Sequence, residues 1–182
     1  MDFIFGTPIW KLDSVSFDDK KITEEIFNAQ RSDPKGVNVS NIGGYHSGYD
    51  FSTPLTDEYI RSRLEGEGGL NFPHQVVGRW FNINSKGDSN RPHTHDSVGL
   101  SGVLFITDAP GLVLSNPAQT VSNLKIGVDY VHTIDGKAGE IVVFPSSILH
   151  WVEPSKMKSP RITYAFNIEL NICKYICFKF LY

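Results

Sequence analysis

The feature that most constrains the fold is a series of short apolar or alternating segments beyond residue 74. Turn residues separate these segments at intervals of about 8 to 12 residues, which is typical of a β-sandwich or barrel. The predicted strands lie near residues 75–84, 98–107, 111–115, 126–133, 139–144 and 161–170. A jelly roll accommodates this series, because it packs two antiparallel sheets together and leaves an open end where side chains from different strands converge.

Two short helices are predicted before the strands. The first begins at the capping-box pattern Ser16–Asp19, with aspartate in place of the usual glutamate or glutamine, and continues to about Gln30. The second starts near Pro54 and ends at the glycines that begin with Gly66. The segment 32–52 between them is rich in Gly, Asn and Ser, and it is predicted to be a loop that folds over a site.

Length and composition agree with one compact domain. The 182 residues are 40% hydrophobic, which is enough to bury a core. We expect a single jelly-roll domain over 1–182, with a helical N-terminal region over 1–70, a β core over 75–170 and a tail over 171–182. The formal charge of -3, with interspersed acidic and basic residues, argues against a groove that binds nucleic acid by bulk electrostatics.

The ends of the chain bear on location and assembly. The segment Met1–Gly6 lacks a basic start and an uninterrupted apolar stretch, so we expect no signal peptide, no membrane partner and a cytoplasmic protein. The apolar stretch 171–182 is compatible with a homodimer. Its two cysteines, Cys173 and Cys177, are too few for a disulfide framework.

Three histidines form a candidate metal site. His93 and His95 are two residues apart, and in a strand such positions point to the same face, so both imidazoles can reach one ion. His150, at the end of an apolar strand, is the candidate third ligand. A facial set of three ligands leaves coordination positions open for substrate or oxygen. Taken alone, the His93 and His95 pair is equally compatible with a surface loop.

Four further residues are candidates for ligand binding. Arg161 opens a strand, and a guanidinium pairs bidentately with a carboxylate, although a plain surface ion pair is the alternative. Thr163 shares its face. Asn82 and Asn84 share one face of another strand, where they either contact a ligand or satisfy backbone groups at the strand end.

These residues belong to a set of motifs that resembles the 2-oxoglutarate/Fe(II)-dependent oxygenases, most closely a subfamily of small members found in marine bacteria and their phages. The motifs occur in family order over roughly residues 3–168. They are Phe5–Trp10, Gly43–Ser47, Trp80–Asn84, Arg91–His95, Leu100–Phe105, Phe144–Ser146, His150 and Pro160–Thr163.

The resemblance implies a mainly β fold, a double-stranded β-helix (jelly roll, cupin-like) with two short N-terminal helices. It also implies an enzyme that uses Fe(II), 2-oxoglutarate and O2 to oxidise, by hydroxylation, a substrate that the sequence does not identify, with release of succinate and CO2. On this basis His93 is the first metal ligand, His150 the distal one, and Arg161 binds the far carboxylate of 2-oxoglutarate. Asn82 and Asn84 are then candidates for its inner carboxylate.

The sequence departs from the family pattern at position 95, where a histidine replaces the expected carboxylate. Asp96 lies one residue beyond the position of the expected carboxylate. In a regular strand its side chain points away from that of His93, whereas a β-bulge would turn it to the same face. We therefore predict a three-histidine site with Asp96 as the reserve ligand. Neutral imidazole in place of an anion makes such a site more positive.

Two alternatives remain at this stage. One is a cupin-type metalloprotein, such as a dioxygenase that uses three-histidine iron without 2-oxoglutarate. The spacing of Gly139, Pro145 and His150 fits it, but the glutamate expected after the first histidine pair is absent and Arg161 has no role. The other is a non-catalytic jelly-roll binding module, which the intact ligand set argues against.

Overall fold

The computed structural model describes residues 6–95, 99–118 and 130–170. The helices in these residues are α1 (Asp19–Ser32) and α2 (Pro54–Glu65). The strands are β1 (Trp10–Leu12), β2 (Asn41–Ile42), β3 (Tyr45–His46), β4 (His74–Asn84), β5 (Ser89–His93), β6 (Leu100–Phe105), β7 (Ala109–Ser115), β8 (Val131–Gly136), β9 (Ile141–Pro145), β10 (His150–Val152) and β11 (Arg161–Leu170). Neither helix is long and apolar enough to cross a membrane.

The strands form two antiparallel sheets. One has six strands in the order β1-β9-β6-β11-β4-β3, and the other has five in the order β2-β5-β10-β7-β8. Strands that are distant in the chain are therefore neighbours, so residues from β5 and β10, or from β4 and β11, lie side by side. The predicted mainly β jelly roll with two helices before its core strands is confirmed.

The two helices pack on the six-stranded sheet. Alternate residues of β4 and β11 face them, because side chains of a strand alternate between its two faces. The shared apolar cluster includes Ile22 and Ile26 of α1, Ile60 and Leu64 of α2, Phe81 and Ile83 of β4, and Tyr164 and Phe166 of β11. Burial of each such side chain stabilises the fold by about 1.5–3 kcal/mol.

A second apolar cluster brings residues of both sheets together. Its members include Leu112 and Leu114 of β7, Val142 and Phe144 of β9, and Val152 of β10. The residues of β4 and β11 that alternate with the helix-facing ones are mostly polar, and they include Asn82, Asn84, Arg161 and Thr163, all buried. The six-stranded sheet is thus apolar toward the helices and polar on the face where a site can form.

A bulge in β4 adjusts this polar face. Phe166 of β11 pairs with Arg79, whereas Asn167 pairs with Val77, so Gly78 is an extra residue in β4. Gly78 has φ 59°, a conformation that glycine adopts without the steric cost of a side chain.

Both predicted helices are confirmed, but the predicted capping box, which begins at Ser16, does not cap the first helix. Asp18 caps α1, because its side chain accepts a hydrogen bond from Lys21 N–H at 3.1 Å. Ser16 lies before the cap with φ 49°. The prediction for α2 holds at both ends: Thr53 accepts from Thr56 N–H at 3.2 Å and Gly66 follows the last turn.

The strand predictions also needed correction. The segment predicted at 126–133 corresponds to β8 only from Val131, and residues 126–129 lie outside the described residues. The series of predicted strands has a gap between residues 84 and 98, yet β5 lies in it, from Ser89 to His93. The predicted loop 32–52 contains the short strands β2 and β3, and β3 buries His46 against β4.

Candidate metal centre

Two of the three candidate ligands are cross-strand neighbours. His93 is the last residue of β5, His150 is the first of β10, and they lie opposite each other. His95 follows two residues after β5 ends, and its backbone N–H donates to the Ser146 carbonyl at 2.9 Å. The sequence predicted that His93 and His95 lie on a single strand. In the structure His95 lies beyond the end of β5, and its hydrogen bond to Ser146 holds it near the other two histidines. One ring nitrogen of each histidine lies within 4.8 Å of the others.

Main-chain carbonyls orient two of the imidazoles. The Nδ1 atom of His93 is 2.7 Å from the Arg91 carbonyl, and that of His150 is 2.8 Å from the Ile148 carbonyl. A carbonyl only accepts, so each Nδ1 carries the proton and donates it, and Nε2 carries the lone pair. A metal-binding histidine is commonly held in this way, through its second ring nitrogen.

Side chains orient the third imidazole. The Nδ1 atom of His95 lies 2.8 Å from Oδ1 of Asn167 in β11 and 3.1 Å from the Ser101 hydroxyl in β6. The Trp80 ring packs beside it, with ring centroids 5.5 Å apart. Donation of Nδ1–H to the Asn167 carbonyl oxygen again places the lone pair on Nε2.

Burial favours the neutral form of His93 and His150. Loss of water lowers the pKa of His150 to about 3, against the opposing effect of its hydrogen bond to Ile148 and with the help of nearby His93 and His95. Desolvation also lowers the pKa of His93 from its ordinary value, with a further contribution from His95. Neutral imidazole is the form that binds metals, so both rings are ready to act as ligands at neutral pH.

Arg161 is a buried cation beside the histidines. Its side chain is 2% exposed, and desolvation lowers its pKa to about 10, so it remains charged at neutral pH. Its hydrogen bonds go to neutral oxygens: Nε donates to the Pro110 carbonyl at 3.3 Å and Nη1 to the Thr163 hydroxyl at 3.4 Å. None of the ion pairs among the described residues involves Arg161. A buried charge without a counter-ion is costly, which indicates a place for an anion.

One cavity connects this cation with the three histidines. It contains about 510 Å³ of space outside the protein atoms, including its open mouth. Its walls include His93, His95, His150, Asn82, Arg161 and Thr163. The imidazole cluster and the guanidinium therefore line the same cavity.

The two asparagines predicted from sequence occupy different positions. Asn82 lines the cavity, and its buried Oδ1 has no hydrogen-bond partner among the described residues. Asn84 is buried outside the cavity wall, and its Nδ2 donates to Asn90 Oδ1 at 3.4 Å. The reserve ligand Asp96 lies outside the described residues.

Sequence reasoning missed Asn167 and Ser101, the two side chains that hold His95. The signal for Asn167 was available, because Arg161, Thr163 and Asn167 occur at odd positions of one strand and share its face. No comparable pattern marked Ser101, which reaches His95 only through the pairing of β6 with β11.

The residues fit a divalent transition metal and a dicarboxylate. Three imidazoles are suitable ligands for iron, nickel, copper or zinc, and a set of three leaves further coordination positions open. The Arg161 guanidinium, which has no ion-pair partner among the described residues, suits one carboxylate of a ligand whose other end reaches the metal. The donor set and the buried cation thus support each other.

The matched family model covers the segment that carries this site. Residues 78–167 match the family described as "Putative 2OG-Fe(II) oxygenase". The match includes β4 through most of β11, and with them the three histidines and Arg161. No curated protein sequence matches the chain.

Several solved structures share the fold at low sequence identity. HygX from Streptomyces hygroscopicus, with nickel and 2-oxoglutarate bound, has a TM-score of 0.62 and 10% identity, covering 91% of this chain and 83% of its own. A Pseudomonas putida prolyl-4-hydroxylase has a TM-score of 0.61 and 18% identity, covering 91% and 94%. The non-heme alpha ketoglutarate dependent carbocyclase SnoK, from nogalamycin biosynthesis, has a TM-score of 0.68 and 9% identity, covering 89% and 79%.

Proposed function

This chain belongs to the 2OG-Fe(II) oxygenase family through residues 78–167, and from that premise we propose that it is a dioxygenase that hydroxylates its substrate. The observation that carries the proposal is the cavity shared by the three histidines and the buried Arg161, for which the described residues provide no ion-pair partner. The cofactor is Fe(II), the cosubstrates are 2-oxoglutarate and O2, and the products include succinate and CO2.

The metal ligands in this proposal are His93, His95 and His150, each through Nε2. When bound, iron would activate O2 with electrons from 2-oxoglutarate, and O2 would supply the oxidising power for attack on a C–H bond, which no protein side chain provides. The chain holds the three imidazoles in fixed orientations through their Nδ1 atoms, and residues of both sheets take part in this. Its contribution is therefore orientation.

Arg161 binds the far carboxylate of 2-oxoglutarate, and Thr163 fixes the guanidinium through its hydroxyl. Asn82 contacts the end of the cosubstrate nearer the metal, because its amide lines the cavity and its Nδ2 can donate to a carboxylate. Asn84 acts through Asn90, outside the cavity, and supports the strand end.

Asn167 is a positioning residue for His95. Asn167→Leu is expected to lower Fe(II) affinity by about 10- to 100-fold, because loss of an outer hydrogen bond to a ligand histidine typically has that effect. Asn167→Asp is expected to retain iron, since a carboxylate also accepts from Nδ1–H. Fe(II) titration monitored by calorimetry measures both variants.

The control for this prediction is thermal unfolding. A purely structural asparagine would lower the stability of the leucine variant without a difference in iron affinity between properly folded variants. Equal Fe(II) affinity in wild type and folded Asn167→Leu would contradict the positioning role.

The experiment that tests the proposed function is succinate formation under air. Protein loaded with Fe(II) is expected to convert 2-oxoglutarate to succinate slowly even without its substrate, and a screen for the substrate then looks for acceleration. The same protein without iron serves as the blank. A folded, iron-loaded protein that never forms succinate in such a screen would refute the dioxygenase assignment.

A further inference from the structure

Two of the three histidines also line a second cavity. His93 and His95 line the cavity with Arg161, and they also line a separate outer cavity with about 900 Å³ of space that includes open solvent. The outer cavity has neither Arg161 nor Thr163 among its described walls. A molecule there lies against His93 and His95 without contacting Arg161 or Thr163.

Three rings form one wall of the outer cavity. His46 stacks on Trp80 with centroids 5.7 Å apart and an interplanar angle of 8°, and Tyr49 meets Trp80 edge-on at 5.4 Å. Trp80 and His46 are 5% and 3% exposed, whereas Tyr49 is 46% exposed. The wall is therefore rigid at its base and open to a ligand at its rim, where a flat group can pack against Tyr49.

Two features keep this wall apolar in character. The His46 ring donates Nδ1–H to the Ser47 carbonyl at 2.5 Å, and burial lowers its pKa from the ordinary value. Val39, 44% exposed, continues the apolar surface at the rim. A neutral, aromatic and aliphatic surface that faces solvent is a common mark of a binding site.

Arg91 is the one residue with a permanent charge among the described residues that line the outer cavity. Arg91 lines it, no aspartate or glutamate does so among the described residues, and none of the ion pairs found between described residues involves Arg91. The chain as a whole has a formal charge of -3, so this positive mouth is a local feature. By contrast, the groove at Arg61 and Arg79 also contains Asp57, Glu58 and Glu65.

We infer that the substrate is an organic acid with a flat aromatic or unsaturated group, which packs on the Tyr49 and Trp80 wall while its acid group pairs with Arg91. This inference rests on the proposed function, since it identifies the occupant of the cavity beside the metal ligands.

The test uses the full chain loaded anaerobically with Fe(II) and 2-oxoglutarate. The probes are matched pairs of aromatic acids and their uncharged amides, such as indole-3-carboxylate with indole-3-carboxamide and benzoate with benzamide. Calorimetry gives the affinity of each probe. We expect the preferred acid to bind roughly 5- to 10-fold more tightly than its amide, as befits an ion pair at a partly exposed site.

Two variants separate the contributions of charge and ring. Arg91→Gln is expected to remove the preference for the acid and to leave amide binding unchanged, whereas Tyr49→Ala weakens both probes of a pair. Lys86→Gln, which removes a cation that does not line the cavity, is the matched control.

The outcomes distinguish this inference from the proposed function. If the visible band of chelated 2-oxoglutarate forms but no acid binds better than its amide, the substrate class is wrong and the oxygenase assignment stands. An acid preference that survives in Arg91→Gln also overturns the inference. If the band itself fails to form, the failure lies with the proposed function.

Discussion

His150→Ala is expected to lower Fe(II) affinity by more than about 100-fold, because loss of an outer partner of a ligand already costs up to about that factor. His150 is 6% exposed, lies opposite His93 in the sheet, and has its ring fixed by the Ile148 carbonyl. No described side chain stands ready to replace it, since the group of possible ligands contains only the three histidines. Anaerobic Fe(II) titration followed by metal analysis of the recovered protein measures the effect.

His132→Ala is the matched control for this prediction. His132 lies in β8 of the same five-stranded sheet, is exposed, and stands apart from the ligand group, so iron binding is expected to be unchanged. If folded His150→Ala binds iron as tightly as wild type, the three-histidine centre is refuted.

The same titration decides between His95 and Asp96. We expect His95→Ala to lose iron and Asp96→Ala to keep it. The opposite pattern would show a two-histidine, one-carboxylate centre, and it would make the Asn167 contact to His95 incidental to metal binding.

Arg161→Ala is expected to spare Fe(II) binding and to weaken 2-oxoglutarate binding roughly 30- to 1,000-fold, which corresponds to about 2–4 kcal/mol for removal of one partner of a buried charge pair. The guanidinium is buried and its hydrogen bonds go to neutral oxygens of Pro110 and Thr163, so a carboxylate is the partner it lacks. Titration of the iron-loaded variant with 2-oxoglutarate gives the affinity.

Two further variants sharpen this prediction. Arg161→Lys keeps the charge but not the bidentate geometry, and its affinity for 2-oxoglutarate is expected to lie between those of Arg161→Ala and the wild type. Arg61→Ala removes an exposed arginine of α2 and is expected to leave the affinity for 2-oxoglutarate unchanged. Unchanged 2-oxoglutarate affinity in folded Arg161→Ala would show that the cosubstrate binds elsewhere or not at all.

The components of the site that sequence analysis anticipated are those marked by family motifs or by strand periodicity. The three histidines and Arg161 follow family motifs, and the structure places them in one cavity. Strand periodicity also gave β4 and β11 nearly to the residue, because their alternation of polar and apolar residues reflects a polar cavity face and an apolar helix face.

The components that it missed depend on contacts between distant segments. β5 contains Asn90 and Pro92 and follows a turn, so local propensity favours a loop, and only pairing with β2 and β10 makes it a strand. The ring wall of the outer cavity combines residues from two segments: His46 and Tyr49 lie between α1 and α2, and Trp80 lies in β4. Its rings have no common spacing in the chain, and only the pairing of β3 with β4 shows that they meet.

The most direct test of the central claim is an anaerobic titration of the metal-free protein, first with Fe(II) and then with 2-oxoglutarate, monitored by visible absorption. The account predicts that iron binds and that 2-oxoglutarate then produces a charge-transfer band that saturates at one cosubstrate per iron. Iron binding without the band would contradict the role of Arg161 and favour a centre that works without 2-oxoglutarate. Absence of iron binding would refute the metal centre itself.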